Sequence, residues 1–462
     1  MKTYRTGLAR LGSVLLALIA SLALTGCASH SHDLRLVRQS LLAGNVDQAL
    51  TEFQKSKGKD DDLLYLLEKG TMLHLAGKWA ESNEAFEAAE QRHEDLYTRS
   101  ISREAAALLT SDLSLPYRAL PYEIEMVAYY RALNYLELGQ LDEALVEARK
   151  ANHLLALRDP EKNSEDRFQQ TAFLQYVTGL LYEAAGEAND AIVSMRDAYV
   201  GYEEDDCCGF AAPPWLAADY YAVASHLGLT EERQALEERY PDIAKAAGAG
   251  DDHNLVVFFE SGFAPYRDAV DIVLPILDDK DGNAWGAASS YVDRYGNHIY
   301  SYRNDAKLDH VLRFAFPRLE SMPSAVARCE LVLPDGTRVP AAPALDVESV
   351  ANADFSARIP GMLLKTVARA ITKEMARKGA KRENEVLGWV VNAVNLATEN
   401  ADTRSWILLP RRIDMVKAQI PPGEQEVIAR FLDRNGGVVD EWTLHVDPRP
   451  GDLRILSVRA FQ

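Results

Sequence analysis

The chain has 462 residues, 26% of them charged, and a formal net charge of −19. That length allows two or three domains with substantial cores. The acidic balance is hostile to nucleic acid and to anionic head groups.

The amino terminus carries Lys2, Arg5 and Arg10, then an apolar run from Leu11 to Leu24, then Leu24-Thr25-Gly26-Cys27. A basic start, a short apolar core and small residues before the cut describe a secretory signal over residues 1–26. The run is short for a membrane-spanning helix. Leu-Thr-Gly-Cys resembles the bacterial lipoprotein lipobox, in which the Cys becomes the acylated first residue. The resemblance implies lipidation at Cys27, with residues 27–33 as a tether. Ala28 stands where an Asp favours inner-membrane retention, so it also implies the outer membrane, facing the periplasm. Without the three basic residues of the signal, 47 basic residues face 69 acidic ones, a charge of about −22.

Residues 34–245 are helical in pattern, broken by Gly, Asp-Pro and Pro-Pro. The stretch Ala132–Ala151 contains two helical runs about a Gly139-Gln140 turn, with small residues at fixed distances. Ala132 lies seven before Gly139, and Ala144, Ala148 and Ala151 lie five, nine and twelve after it. The same offsets from Gly186 reach Gly179, Ala191, Met195 and Ala198. From Gly77 they reach Gly70, Ser82, Phe86 and Ala89, and from Gly44 they reach Val37, Ala49, Phe53 and Ser56. Small residues let two helices approach, and larger ones fill the space beside them.

This pattern resembles the tetratricopeptide repeat (TPR), a helix-turn-helix of about 34 residues. Tyr135 and Tyr182 fall on the aromatic position of its first helix, and Trp79 and Leu141 just past the turn glycine. The anchors lie 33, 62 and 47 residues apart, so the array is irregular and carries insertions. Ala217–Tyr240 reads as a degenerate terminal pair, the cap an array needs. The resemblance implies a curved stack whose first helices line a hollow for an extended peptide or a partner helix. Tyr129 and Tyr176, three residues before the small crossing residue, are the candidate partner-binding residues.

Lys245–Asp252 is small and flexible in composition, with residues 246–252 as a linker. Beyond it the period changes to two. Leu255–Phe259, Val270–Leu274, Cys329–Leu333 and Val427–Leu432 read as strands. Pro334-Asp335-Gly336 and Asn435-Gly436 are turns, the latter leading into Trp442, Leu444 and Val446 as a hairpin. Helices are expected over Pro360–Lys378, with a stripe of Leu363, Val367, Ile371 and Met375, and over Glu385–Ala397. The fold class is therefore multidomain: an all-α TPR-like array, then a β-rich α+β domain over 253–462, a small sandwich crossed by two helices. Asp402 with Arg404 reads as an ion pair fixing a turn, and Trp406 as core.

Phe258–Pro265 and Ala401–Trp406, followed by Leu408-Leu409-Pro410, resemble an uncharacterised family of bacterial tetratricopeptide lipoproteins with a C-terminal β-rich domain. The resemblance covers essentially the whole chain and implies architecture and location; the family has no established activity. Its members resemble genes beside lipoprotein activators of penicillin-binding proteins.

Catalytic signatures are absent from the sequence: no metalloprotease, hydrolase-elbow, phosphate-loop or dinucleotide motif occurs. Ser56-Lys57-Gly58-Lys59 matches Ser-x-x-Lys without its companion motif. Asp279–Gly282 echoes a calcium loop whose first and twelfth positions, Leu277 and Ala288, cannot bind. Cys207-Cys208 lacks zinc-knuckle spacing and Cys329 stands apart. No catalytic, cofactor-binding or metal-binding residue is expected, and no cofactor. The expected function is a periplasmic protein–protein scaffold for envelope proteins. The narrower alternative is an accessory factor for peptidoglycan synthesis or polymer export, and the rival an envelope hydrolase with its site in 253–462.

Overall fold

The computed structural model describes residues 34–56, 62–98, 115–156, 171–204, 211–250, 253–278, 290–292, 298–300, 307–383, 401–449 and 451–462. Cys27, its tether, Cys207-Cys208, Lys57–Lys59, Asp279–Gly282 and the expected helix Glu385–Ala397 lie outside these residues.

The first half is a succession of helix pairs: α1 (Arg35–Leu42) with α2 (Val46–Gln54), α3 (Leu63–Leu75) with α4 (Trp79–Thr98), and α5 (Pro121–Glu137) with α6 (Leu141–Ala156). Then come α7 (Thr171–Ala184) with α8 (Ala188–Glu204), and α9 (Leu216–His226) with α10 (Thr230–Arg239). Each pair packs on the next. The four anchor glycines, Gly44, Gly77, Gly139 and Gly186, hold φ between 69° and 73°, and Gly228 repeats the turn at 71° in the fifth pair. That left-handed conformation ends a helix without a Cβ clash, which is why glycine recurs there.

The offsets have a steric meaning. A Cβ on Gly70 would lie 2.6 Å from the Phe86 ring, and one on Gly179 would lie 2.8 Å from Met195 Cγ. These are the positions seven before and nine after their anchors. In the fifth pair the same two positions are Tyr221 and Glu237, joined by a 2.5 Å hydrogen bond from the Tyr221 hydroxyl.

Lys245–Gly250, expected as linker, is instead the end of α11 (Ile243–Gly250). Its Ile243 and Ala247 are buried against α9, which stabilises a helix the glycines alone would not favour.

The second half holds two four-stranded sheets. One has the order β12 (Arg454–Ala460), β1 (Leu255–Ser261), β9 (Arg412–Ala418), β8 (Ala342–Asp346). In it β1 runs parallel to β12 and antiparallel to β9. The other, all antiparallel, has the order β11 (Val438–Val446), β10 (Gln425–Leu432), β6 (Arg328–Val332), β7 (Arg338–Pro340). A long hairpin pairs β2 (Tyr266–Asp278) with β5 (Lys307–Glu320), and β3 (Ser290–Val292) pairs with β4 (His298–Tyr300). The Gly336 and Gly436 turns close hairpins β6–β7 and β10–β11 as their sequences predict.

The helix expected from Pro360 begins earlier. It is α12 (Val347–Glu383), with Pro360 inside it. Asp346 accepts a hydrogen bond from the Ser349 amide at 2.9 Å, an N-cap contact made directly off strand β8.

Two cores result. Leu255, Val257 and Phe259 face the second sheet, with Val416, Val427, Ala429 and Phe431. Val256 and Phe258, on the opposite face of the same strand, join a core that runs continuously from Leu34 through the helix pairs to Phe461. The molecule is layered as helices, first sheet, second sheet. Each side of β1 is covered, so its apolar run needs no alternation. Among the described residues no helix is long and apolar enough to cross a membrane.

Gly70→Ala overpacks the α3–α4 crossing and should cost about 1–3 kcal/mol, read as a lower urea midpoint. Adding Phe86→Leu should recover part of the loss.

The inner helical face as candidate functional site

The first helices of the pairs do line one face, as the offsets predict, but the second half of the chain already covers it. Tyr129 is 1% exposed, and its ring stands edge-on to Phe258 of β1 with centroids 5.8 Å apart. Tyr176 is 1% exposed and its hydroxyl donates to Asp219 at 2.5 Å. Both candidate partner residues are thus buried inside one chain. They face the inner surface, and what meets them there is sheet and neighbouring helix. The expectation of an open hollow for a peptide is corrected accordingly.

Residues 401–409 fill that face beside α3 and α5. The segment has neither helix nor strand, and Trp406–Leu409 are at most 1% exposed. Its backbone is read by helix side chains much as a bound peptide would be. Glu123 accepts from the Trp406 amide at 3.1 Å, Glu68 accepts from the Ile407 amide at 3.0 Å, and Thr71 Oγ1 accepts from the Trp406 indole at 3.0 Å. Arg404 makes a two-pronged pair with Asp402, each contact 2.8 Å, and donates to the Leu115 carbonyl at 3.0 Å. The expected ion pair is therefore present, and Trp406 is core.

Two further ionic anchors join the halves. Arg459 of β12 meets Glu260 of β1 at 2.8 Å, and Tyr130 of α5 donates to the same carboxylate at 3.1 Å. Arg459 also donates to the carbonyls of Gly262 and Leu408, at 2.8 and 3.0 Å. Lys417 of β9 is 1% exposed and lies 2.9 Å from Asp219 and 3.6 Å from Glu183. Burial alone would depress the Lys417 ammonium, but the Asp219 and Glu183 carboxylates outweigh it and hold the pKa above its ordinary value. Glu123 goes the other way. Its burial raises the carboxyl above the usual range, against the opposing hydrogen bond from Tyr117 and those from the Leu120 and Trp406 amides.

None of Glu68, Glu123, Asp219, Glu260, Lys417 and Arg459 was singled out from sequence. A signal existed for some of them, a charge inside an apolar stretch, as in Leu63-Leu64-Tyr65-Leu66-Leu67-Glu68 or Val256-Val257-Phe258-Phe259-Glu260. Buried charges need partners, and such positions mark long-range pairing.

For chemistry, the described residues offer little. No cluster of three or more His, Cys, Asp or Glu among them could hold a metal. The Cys329 thiol is buried, and burial together with Asp414 pushes it up, away from the reactive thiolate. A pocket of about 260 Å³ lies in the helical half, lined by Glu183, Asp219, Val223, His226 and Ala247 among others.

No family model matches the chain, and no curated protein matches it. Among solved structures it is similar to the crystal structure of BtubC (BKLC) from P. vanneervenii, at 15% identity and a TM-score of 0.29. That match covers 46% of this chain and 74% of that one. It is also similar to aspartyl phosphate phosphatase F from Bacillus subtilis, at 15% identity and a TM-score of 0.30, covering 52% of this chain and 56% of that one.

Lys417→Met should destabilise the protein by about 3–5 kcal/mol, because it leaves Asp219 buried without its cation; adding Asp219→Asn should restore part, as seen in chemical denaturation. For Glu123 the folded state holds the proton more tightly than the unfolded state. Its contribution is therefore fully present below the ordinary carboxylate pKa and declines as pH rises through the raised folded value. Glu123→Gln should remove this decline from the stability–pH curve while the rest of the curve keeps its shape.

Proposed function

We propose that the chain is a periplasm-facing outer-membrane lipoprotein, acylated at Cys27, and that its TPR-like array serves as a protein-binding scaffold through its outer helices. The single observation that carries the scaffold reading is the division of labour between the two faces. The inner face is occupied by the chain's own segment 401–409 and first sheet. The outer helices carry exposed apolar residues instead: Val146 of α6 is 40% exposed, Val193 of α8 is 43%, and Val200 is 41%. Val146 and Val193 both lie seven residues after their turn glycines, so successive pairs offer the same apolar position to a partner. Apolar residues repeated at the same place on neighbouring pairs can contribute to the apolar core of a protein contact.

The anchor confines such a scaffold to a thin layer at the bilayer and so raises its effective concentration toward other envelope proteins. Several acyl chains on one Cys hold a protein durably, where one chain does not. The Leu-Thr-Gly-Cys ending and the basic, apolar leader support this part of the reading.

Growth with labelled palmitate should mark the wild-type protein and leave Cys27→Ala unlabelled; persistent label in the variant removes the anchor. Crosslinking in intact cells should yield a defined heteromeric species that Val146→Asp/Val193→Asp diminishes severalfold, with an unchanged unfolding midpoint. If that species survives the double variant, the outer face is not the docking surface.

A further inference from the structure

Helix α12 buries apolar residues in its first turns but exposes large apolar ones further along. Val347, Val350 and Ala351 seat its first turns in the main core, and Asp354 is buried against Arg358. Beyond Pro360 the pattern inverts. Thr366 is buried, its hydroxyl turned back to the Met362 carbonyl, and Arg369 is 4% exposed. Leu363 and Leu364 are instead 43% and 72% exposed. A helix whose apolar stripe ends in water would turn the other way. At helical spacing from these leucines the sequence continues with Val367, Ile371 and Met375.

Charge decides what covers such a stripe. Between residues 361 and 383 there are seven basic residues, from Lys365 to Arg382 and including the buried Arg369, against Glu374 and Glu383, a net of +5 in a chain of −19. A second copy docking helix on helix would set +5 against +5. An anionic lipid surface satisfies both features, since leucines enter the acyl boundary while lysine and arginine reach phosphate. Screening over about 10 Å limits the repulsion between acidic residues elsewhere in the chain and such a surface.

We infer that the part of α12 beyond Pro360 is an interfacial helix that lies on an anionic phospholipid surface. The inference deepens the reading of the chain as a membrane-associated protein. It adds a second contact with the bilayer, one that does not depend on acylation.

The test uses residues 28–462, which lack the leader and Cys27 but retain the whole described structure, with vesicles of phosphatidylcholine alone or mixed with phosphatidylglycerol. Co-sedimentation with the anionic vesicles should exceed that with neutral ones by about tenfold and fall with added salt. Leu364→Asp, and separately Lys365→Glu/Lys378→Glu/Arg382→Glu, should each lower it about tenfold; an unchanged unfolding midpoint separates lost binding from misfolding. Absence of vesicle binding, or equal binding by wild type and Leu364→Asp, overturns the inference, whichever other surface covers the leucines. A concentration-dependent dimer that Leu364→Asp abolishes, without vesicle binding, assigns the stripe to a second copy. Failure of palmitate labelling at Cys27 is a separate result and leaves this one standing.

Discussion

Strand β1 is covered on both faces, and the rest of the molecule depends on that burial. Val256 and Phe258 pack into the helices while Leu255, Val257 and Phe259 pack into the second sheet. Removing either layer would expose a row of large apolar residues, so the helical array and the sandwich stabilise one another. The charged groups along the same boundary add direction to an otherwise non-directional contact. Tyr130 with Glu260, and Asp219 with Lys417, can be satisfied only when strands and helices meet in one register.

This joining changes what the helix pairs can do. An array with an open inner face binds extended peptides there, but here residues 401–409 are the peptide, held by Glu68, Thr71 and Glu123. Because the occupant is covalently attached, it competes with any external ligand at a high effective concentration. The proposed scaffold role is therefore left to the outer helices.

Much of the local architecture was legible in the sequence, because its determinants are local. A glycine that must be left-handed and a small residue that must face Phe86 or Met195 leave traces at fixed spacing. The Pro334-Asp335-Gly336 and Asn435-Gly436 turns do the same. What was not legible depends on contacts far apart along the chain: the Trp406 indole and Thr71 are 335 residues apart. Strand β9 was overlooked because Arg412, Asp414 and Lys417 make it look like a loop, and only their partners in the folded chain neutralise them. Tyr129 and Tyr176 were placed on the correct face and assigned the wrong neighbour for the same reason. Helix α12 was started at Pro360 because proline usually opens a helix, whereas the cap lies at Asp346.

The parallel pairing of β12 with β1 has a consequence for how the protein is made. In chain order the described helix pairs come first and β1 soon after, whereas β1's parallel partner Arg454–Ala460 follows far later. Until then β1 has an open edge, Glu260 lacks its arginine, and the aromatic lining around Tyr129 and Tyr130 has only part of its cover. However the chain is delivered, the apolar surface of β1 stays half-built until β12 pairs with it and completes the sheet. Without Arg454–Ala460 the first sheet would lack its edge strand and Glu260 its arginine.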